Sequence, residues 1–528
     1  MAAATKNKFK EVADIVDAVQ TIRATFDLID QLPGLPAGKE AALALFPPED
    51  PQNIEHRRWA YIRYGKLLAN ARAMVRAIRD EEALAAKQAK IKKSKFSASR
   101  LTGQEAAWEE IKTAPPGKPV LYPEPMPVDV GPHDDFKPFF CHLKEKKPLP
   151  DDIMVFQRCA IYNDGRMDVC KQVPGPDHIG ELVDCLRDNT KIRHFLMGNS
   201  IVGQKGAEAI ARHIQTRPPI ETWYLAGNRI DASGIELIAD SLKTDTVCDA
   251  LWLKRNPLYP AGIRHVADLL AENKTLQILD LDNTGVFDEG ASELFRGLVA
   301  NDSLRLLYLD ANNLGPHSAV YIAAYFHTLV REKRRGLTSL WIGMNPLYDE
   351  GVITLARSLE HYHHMERLCI NAVRMTHVGL RALCQALVRH PKLFVLDVGA
   401  YKSVADMHEV TNNFGLEGAC ILADFIRENK TVRILDIRTC HLTLEGLERI
   451  ADAAEQNHTM LFIYAQQMGL SESRAEARAT LRRIAQACNR NCQAAGFKDL
   501  QDYCTNHLRK EKHTESLVNN DSIYRTNM

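Results

Sequence analysis

An α/β solenoid, with parallel strands lining its inner face and helices outside, is the fold class predicted for this chain of 528 residues. Three observations carry the prediction. One phrase of residue types recurs ten times between about residues 192 and 467. Each copy opens with alternating apolar residues and then changes to helical spacing. No single copy is large enough to fold alone.

The clearest copy is Ile220-Glu-Thr-Trp223-Tyr-Leu225-Ala-Gly-Asn228-Arg-Ile230, which fits L-x-x-L-x-L-x-x-N-x-L. With its asparagine slot as marker, the series is Asn199, Asn228, Asn256, Thr284, Asn312, Asn345, Val373, Tyr401, Cys440 and Met468. The steps are 29, 28, 28, 28, 33, 28, 28, 39 and 28 residues. In each copy the pairs Leu251 and Leu253, Leu279 and Leu281, Leu307 and Leu309, Leu340 and Ile342 point one way and their neighbours the other, the period of a short strand. The slot turns the chain, and its side-chain amide can serve loop backbone groups that have no sheet partner. Gly234, Leu237, Ile238 and Leu242, like Gly262, Val266, Leu269 and Leu270, then follow helical spacing. Five or six large apolar side chains per copy give roughly 10 kcal/mol at about 1.5–3 kcal/mol each. Ordering the backbone costs more, at about 1–2 kcal/mol per residue. Stacked copies share their apolar faces, and a solenoid results.

Around the array, 67 Lys and Arg balance 67 Asp and Glu, so net charge points to neither nucleic acid nor membrane. The opening residues 1–17 lack a signal-peptide pattern and no run reaches membrane-spanning length, which predicts a cytoplasmic protein. Twelve cysteines scattered through a large chain suit a reducing compartment. Cys159 and Cys170, and Cys488 and Cys492, read as small semi-buried residues, because no second ligand pair follows at zinc spacing. The Asn-x-Thr triplets at Asn273, Asn429 and Asn457 occupy one place in the repeat and read as repeat grammar, not glycan acceptors.

Residues 1–114 read as a helical region able to pack on itself or a partner, with apolar stripes at Phe9, Val12, Val16, Val19, Ile22, Phe26 and Ile29 and at Trp59, Ile62, Leu67, Val75 and Ile78. A short helix over 39–46, a long one over 53–95 ending in a run of lysines, and another over 104–112 are expected. Ten prolines make residues 115–150 an extended linker, whose Phe136, Phe139 and Phe140 lie along the solenoid. Residues 151–190 form a cap: strands Ile153–Tyr162 and Arg166–Lys171 flank the turn Asn163-Asp164-Gly165, and a helix runs from His178 to Asp188. The solenoid spans 191–470, with insertions before Leu337 (Arg331, Lys333, Arg334, Arg335) and near residues 402–413. Ser473 and Glu476 make a capping box, and residues 471–528 a helical cap, a further helix over 497–513 and a loose tail.

Glycine about six residues after the asparagine slot, then an Ala/Leu-rich helix ending in Glu-Asn-Lys-Thr-Leu or Glu-Asn-Lys-Thr-Val, resembles the ribonuclease-inhibitor-like class of leucine-rich repeats. Residues 229–234 and Asn273-Lys-Thr-Leu276 are the plainest matches, and the resemblance covers roughly residues 175–490. It implies the horseshoe fold and the binding of another macromolecule, and little more about function.

Position five of each repeat faces the concave side: Phe195, Tyr224, Trp252, Asp280, Tyr308, Trp341, Cys369, Asp397, Asp436 and Tyr464. Six aromatic residues in register suit a binding surface, although neighbouring rings can also simply stack along a sheet. With Asp282 and Asp310 from position seven, Asp280 forms an acidic zone that suits a basic and apolar protein partner. Catalytic, cofactor and metal sites are not expected. Gly198 to Lys205 misses the phosphate-loop spacing, since Gln204 separates glycine from lysine. His408-Glu409 lacks the second histidine of a metalloprotease, and His361, His363 and His364 lack a carboxylate pattern. The expected function is a scaffold or adaptor gripping a protein on the concave face, with self-association through the N-terminal helices, no membrane contact and nucleic acid disfavoured. The resemblance also admits a Ran-type GTPase activator, or an effector or sensor protein. Against the activator, Arg509-Lys510-Glu511-Lys512-His513 is basic where such proteins carry an acidic tail.

Overall fold

The structure is a computed structural model and describes residues 42–44, 52–53, 55–60, 62–65, 129–401, 403–404, 407, 409–467, 475–513 and 520–524. They fall into two compact units, one holding residues 42–65 and 407–410, the other holding residues 129–404 and 411–524. In the first, residues 42–44, 55–60 and 62–65 are helical, and the Asn53 side-chain Oδ1 caps the N–H groups of Glu55 and His56 at 2.9 and 3.2 Å. The other helices expected before residue 115, the lysine run and the Ser473 capping box lie outside the described residues.

The second unit is the solenoid. Its sheet has 13 strands in sequence order: β1 (Ile153–Val155), β2 (Ala160–Tyr162), β3 (Arg166–Asp168), β4 (His194–Leu196), β5 (Thr222–Tyr224), β6 (Ala250–Trp252), β7 (Ile278–Asp280), β8 (Leu306–Tyr308), β9 (Ser339–Trp341), β10 (Arg367–Cys369), β11 (Val395–Asp397), β12 (Ile434–Asp436) and β13 (Phe462–Tyr464). From β3 onward all neighbours are parallel. The helix following each of β4 to β12 packs outside, burying residues such as Ile235, Ile238 and Leu242 while Leu237 turns outward.

The turns are held by the slot side chains. Asn256 accepts the backbone N–H of Asn228 and Ile230 at 2.9 and 3.0 Å and donates to the carbonyls of Leu225 and Leu253 at 2.9 and 2.8 Å. One buried amide thereby joins two repeats. Its loss in Asn256→Ala is expected to cost about 1–3 kcal/mol, the range for a buried group left unpaired, because water entering the vacated space can meet the freed groups. An unchanged urea midpoint for this variant would show that the slot amide is dispensable. A second ladder runs at the other turn, where Asn273, Asn301, Asn429 and Asn457 are buried and hold backbone groups of the preceding repeat. The Asn-x-Thr triplets are therefore part of the repeat's hydrogen bonding.

Several expectations are corrected. The marker for the first repeat is Ser200, whose N–H donates to the Asn228 side-chain Oδ1 at 3.1 Å, not Asn199. A one-residue slip in a strand exchanges its faces. Phe195 consequently pairs with Trp223 in the core, 4.9 Å between rings, and Leu196 stands beside Tyr224 in the register of the concave row. Asn412, not Tyr401, fills the eighth slot: it accepts from Val373 and Met375, both at 3.0 Å, so the long insertion precedes the turn residue. Gln467 fills the tenth, accepting from Cys440 and Leu442. Residues 153–162 are two antiparallel strands, because Cys159 reverses the chain at φ 73°. The proline-rich linker contains the helix His133–Lys144, which seats Phe136, Phe139 and Phe140 on the first repeats with Pro138 inside it.

Candidate functional site

Alternate residues of β5 to β13 build the concave face in two rows. Ala250, Ile278, Leu306, Val395 and Ile434 begin their strands, and Trp252, Asp280, Tyr308, Trp341, Cys369, Asp397 and Asp436 end them. The rings lean together along the sheet, with centroids 6.2 Å apart for Tyr224 and Trp252, 5.5 Å for Trp252 and Tyr308, and 5.4 Å for Tyr308 and Trp341. Asp280 stands on the strand between Trp252 and Tyr308, so these two rings close over its carboxyl.

The face is not open. The C-terminal part of the chain folds back onto it. The helix Leu500–Asn506 and Leu508 pack on Val395, Ile434 and Leu461 through Tyr503, which donates to Glu511 at 2.8 Å. In the next helix, Leu508–His513, the Glu511 carboxylate meets Arg433 at 3.1 Å and its carbonyl accepts from Arg367 at 2.8 Å. The Lys512 ammonium lies between Asp397 and Asp436 at 2.8 and 3.1 Å. His513 stacks on Trp341, ring centroids 4.6 Å apart and planes 20° from parallel. The chain is anchored again at the opposite end of the sheet. The Asp521 carbonyl accepts from Arg166, Ser522 donates to Asp168 at 3.0 Å, and the Ile523 N–H meets the Tyr162 hydroxyl at 2.9 Å. Residues 520–524 of the expected loose tail are thus docked, with Asn520 and Ser522 buried.

Trp252, Tyr308 and Trp341 are only 4, 6 and 4 % exposed, yet among the described residues Trp252 Nε1, the Tyr308 hydroxyl and Trp341 Nε1 have no hydrogen-bond partner. Each such donor costs about 1–3 kcal/mol. His513 therefore covers Trp341 without satisfying its N–H.

Burial also changes the acidic zone. Asp280, Asp282 and Asp310 are buried rather than rim-exposed. Asp282 accepts from Lys254 and from the Asp310 N–H, while Asp310 accepts from the Gly343 N–H. Desolvation, then the Asp282 charge, pushes the Asp280 carboxyl up to about 8. The same causes raise Asp310 well above the carboxylate range. These groups hold the turns, and the rim-steering role expected of them is not supported. Desolvation, with Lys512, Arg509 and Arg367 nearby, drives His513 down to about 3, so it stacks on Trp341 as the neutral ring.

The repeat pattern also appears in comparisons with known proteins. A family model described as "Leucine Rich repeat" matches residues 272–295 and 428–451, each running from the last residue of one helix through a strand (β7 and β12) into the helix that follows. The repeats are leucine-rich repeats. None of the curated proteins matches the chain. Among solved structures, the leucine-rich-repeat chain is similar to a leiomodin-1 actin-binding site 2 structure, at 14% identity and TM-score 0.25, over 32% of this chain and 87% of that one. It is also similar to a chain from the yeast Rad7 and Elc1 complex, at 14% identity and TM-score 0.28, over 52% and 76%. Likeness at that level says nothing of a shared partner.

Of the residues expected on the concave side of these leucine-rich repeats, the structure gathers Tyr224, Trp252, Tyr308 and Trp341 into one aromatic row, and Asp397, Asp436 and Tyr464 around Lys512. Asp280, Asp282 and Asp310 lie between as turn supports, and Phe195 is absent from the face. Arg438, expected there at position seven, joins the site, and Tyr401, Lys512 and His513 complete it without having been expected. The signal for the last two was the basic run against two in-register aspartates. The basic insertion residue Arg334 is absorbed structurally, bound to Asp302 and Glu332 and to the carbonyls of Val299 and Asn301. Among the described residues no helix is long and apolar enough to cross a membrane, and no group of three metal-ligating side chains occurs.

Proposed function

We propose that the chain is a protein-interaction module that receives a polypeptide segment along its concave face, and that its own C-terminal segment holds the face until a partner displaces it. The supporting observation is the covering itself: residues 508–513 and 520–523 lie against the sheet, with a lysine between Asp397 and Asp436, a ring stacked on Trp341 and hydrogen bonds to Asp168 and Tyr162. Such contacts are those a peptide ligand makes in a groove. A segment tethered to its own receptor acts at high effective concentration, so it can occupy the face despite three unpaired donors. A partner offering acceptors to Trp252, Tyr308 and Trp341 would gain what the segment lacks.

The test is a full-length variant with Lys512→Ala, His513→Ala and Ser522→Ala, which loosens both anchors without touching the sheet. Faster amide exchange at β6 to β9 is expected, together with binding of a labelled peptide of residues 505–524 that the parent chain ignores. A folded variant that takes up no peptide would remove the interaction reading.

A further inference from the structure

We infer that Asp397, Asp436, Tyr401 and Tyr464 form a lysine-recognition pocket, filled in this chain by Lys512 and open to the lysine of a partner segment once Lys512 leaves. The inference rests on the interaction reading above and names its chemistry. The Lys512 ammonium bonds to Asp397 at 2.8 Å and Asp436 at 3.1 Å, and lies 4.9 Å from the Tyr401 ring centre and 5.5 Å from that of Tyr464. Two carboxylates supply charge, and two ring faces enclose the cation away from water.

The pocket is built for this occupant. Arg438 binds Asp436 at 2.6 Å and lies over the same two rings, at 4.2 Å from Tyr464 and 5.1 Å from Tyr401, so it neutralises one carboxylate. Charge is balanced only while a second cation is present. The Tyr401 hydroxyl donates to Asp397 and fixes its orientation. Gly399 makes room: a Cβ there would come within 2.3 Å of Asp436 Oδ1 and 2.9 Å of the Arg438 backbone nitrogen. Asp397 and Asp436 are fully buried, and even beside the lysine, desolvation and the Asp436 charge push the Asp397 carboxyl up to about 6. An emptied pocket must therefore take a proton or another cation. Next to it, Trp341 carries the unpaired Nε1 under His513, so the neighbouring subsite is filled by the chain without being satisfied.

Two measurements test the inference. In full-length Lys512→Gly, butylammonium is the missing side chain as a free cation. It is expected to raise the melting temperature toward the parent value, while isosteric butanol does not, and Asp397→Asn with Asp436→Asn abolishes the effect. In the unlatched triple variant, the peptide of residues 505–524 is expected to bind about tenfold or more tightly than its twin acetylated at the lysine corresponding to Lys512. Absence of butylammonium rescue, or equal binding of the two peptides, overturns the lysine pocket and leaves the interaction reading standing. If butylammonium rescues but neither peptide binds, the pocket is an internal strut, and both readings fall.

Discussion

Phe195→Ala is expected to destabilise the solenoid by about 3–5 kcal/mol, the range for truncating a buried phenylalanine, whereas Tyr224→Ala should cost far less. The contrast follows from register. Phe195 is fully buried against Trp223 under the first repeat helix, and Tyr224 is half-buried at the margin of the concave row. The loss at Phe195 has two parts, transfer of the ring and a cavity that close neighbours cannot fill: His213 stands edge-on to Trp223 at 6.2 Å and is itself buried. Urea unfolding monitored by tryptophan fluorescence would read both variants. Equal, small losses would mean that Phe195 faces outward, in the register that a plain count of asparagines implies. If end repeats unfold before the rest, the loss should appear first in the transition that reports Trp223, since solenoid repeats are coupled mainly to their neighbours.

The same residue shows what could be read from the sequence. The period of apolar residues is a local property, repeated ten times, so strand, turn and helix were legible for each repeat. Register in the first repeat depended on choosing between Asn199 and Ser200 as the turn residue. Both lie in a turn, and only the bond from Ser200 to Asn228 in the next repeat separates them. The eighth repeat failed similarly, because Asn412 reaches its slot across an insertion that spacing alone cannot place. The covering segment was out of reach for a different reason. Lys512 meets Asp436 across 76 residues and Ser522 meets Asp168 across 354, and no periodicity links such positions. Two signs pointed that way: a basic run near the end of the chain, and aspartates at the fifth position of consecutive repeats. Their complementarity was visible, but their distance along the chain concealed that they belong to one site.

The buried acidic zone gives the second large effect, with its sign set by proton linkage. Asp280 titrates near 8 in the folded chain because Trp252 and Tyr308 remove it from water and Asp282 repels its charge, against weaker help from Lys254 and the Asp282 N–H. An unfolded aspartate titrates near 4. Between those values the folded state keeps a proton that the unfolded state has released, so stability falls as pH rises through the window and the penalty is complete above about 8. Asp280→Asn keeps the carbonyl that accepts from the Asp282 N–H and removes the ionisation. The variant should therefore melt close to the parent at pH 4 and increasingly above it toward pH 8, by several degrees where the penalty is full. Asp310 and Lys254 are the same in both proteins, so their titration largely cancels in the difference. A variant no more stable than the parent at pH 8 would show that Asp280 is ionised and solvated in the folded chain, and that the aromatic row does not close over it.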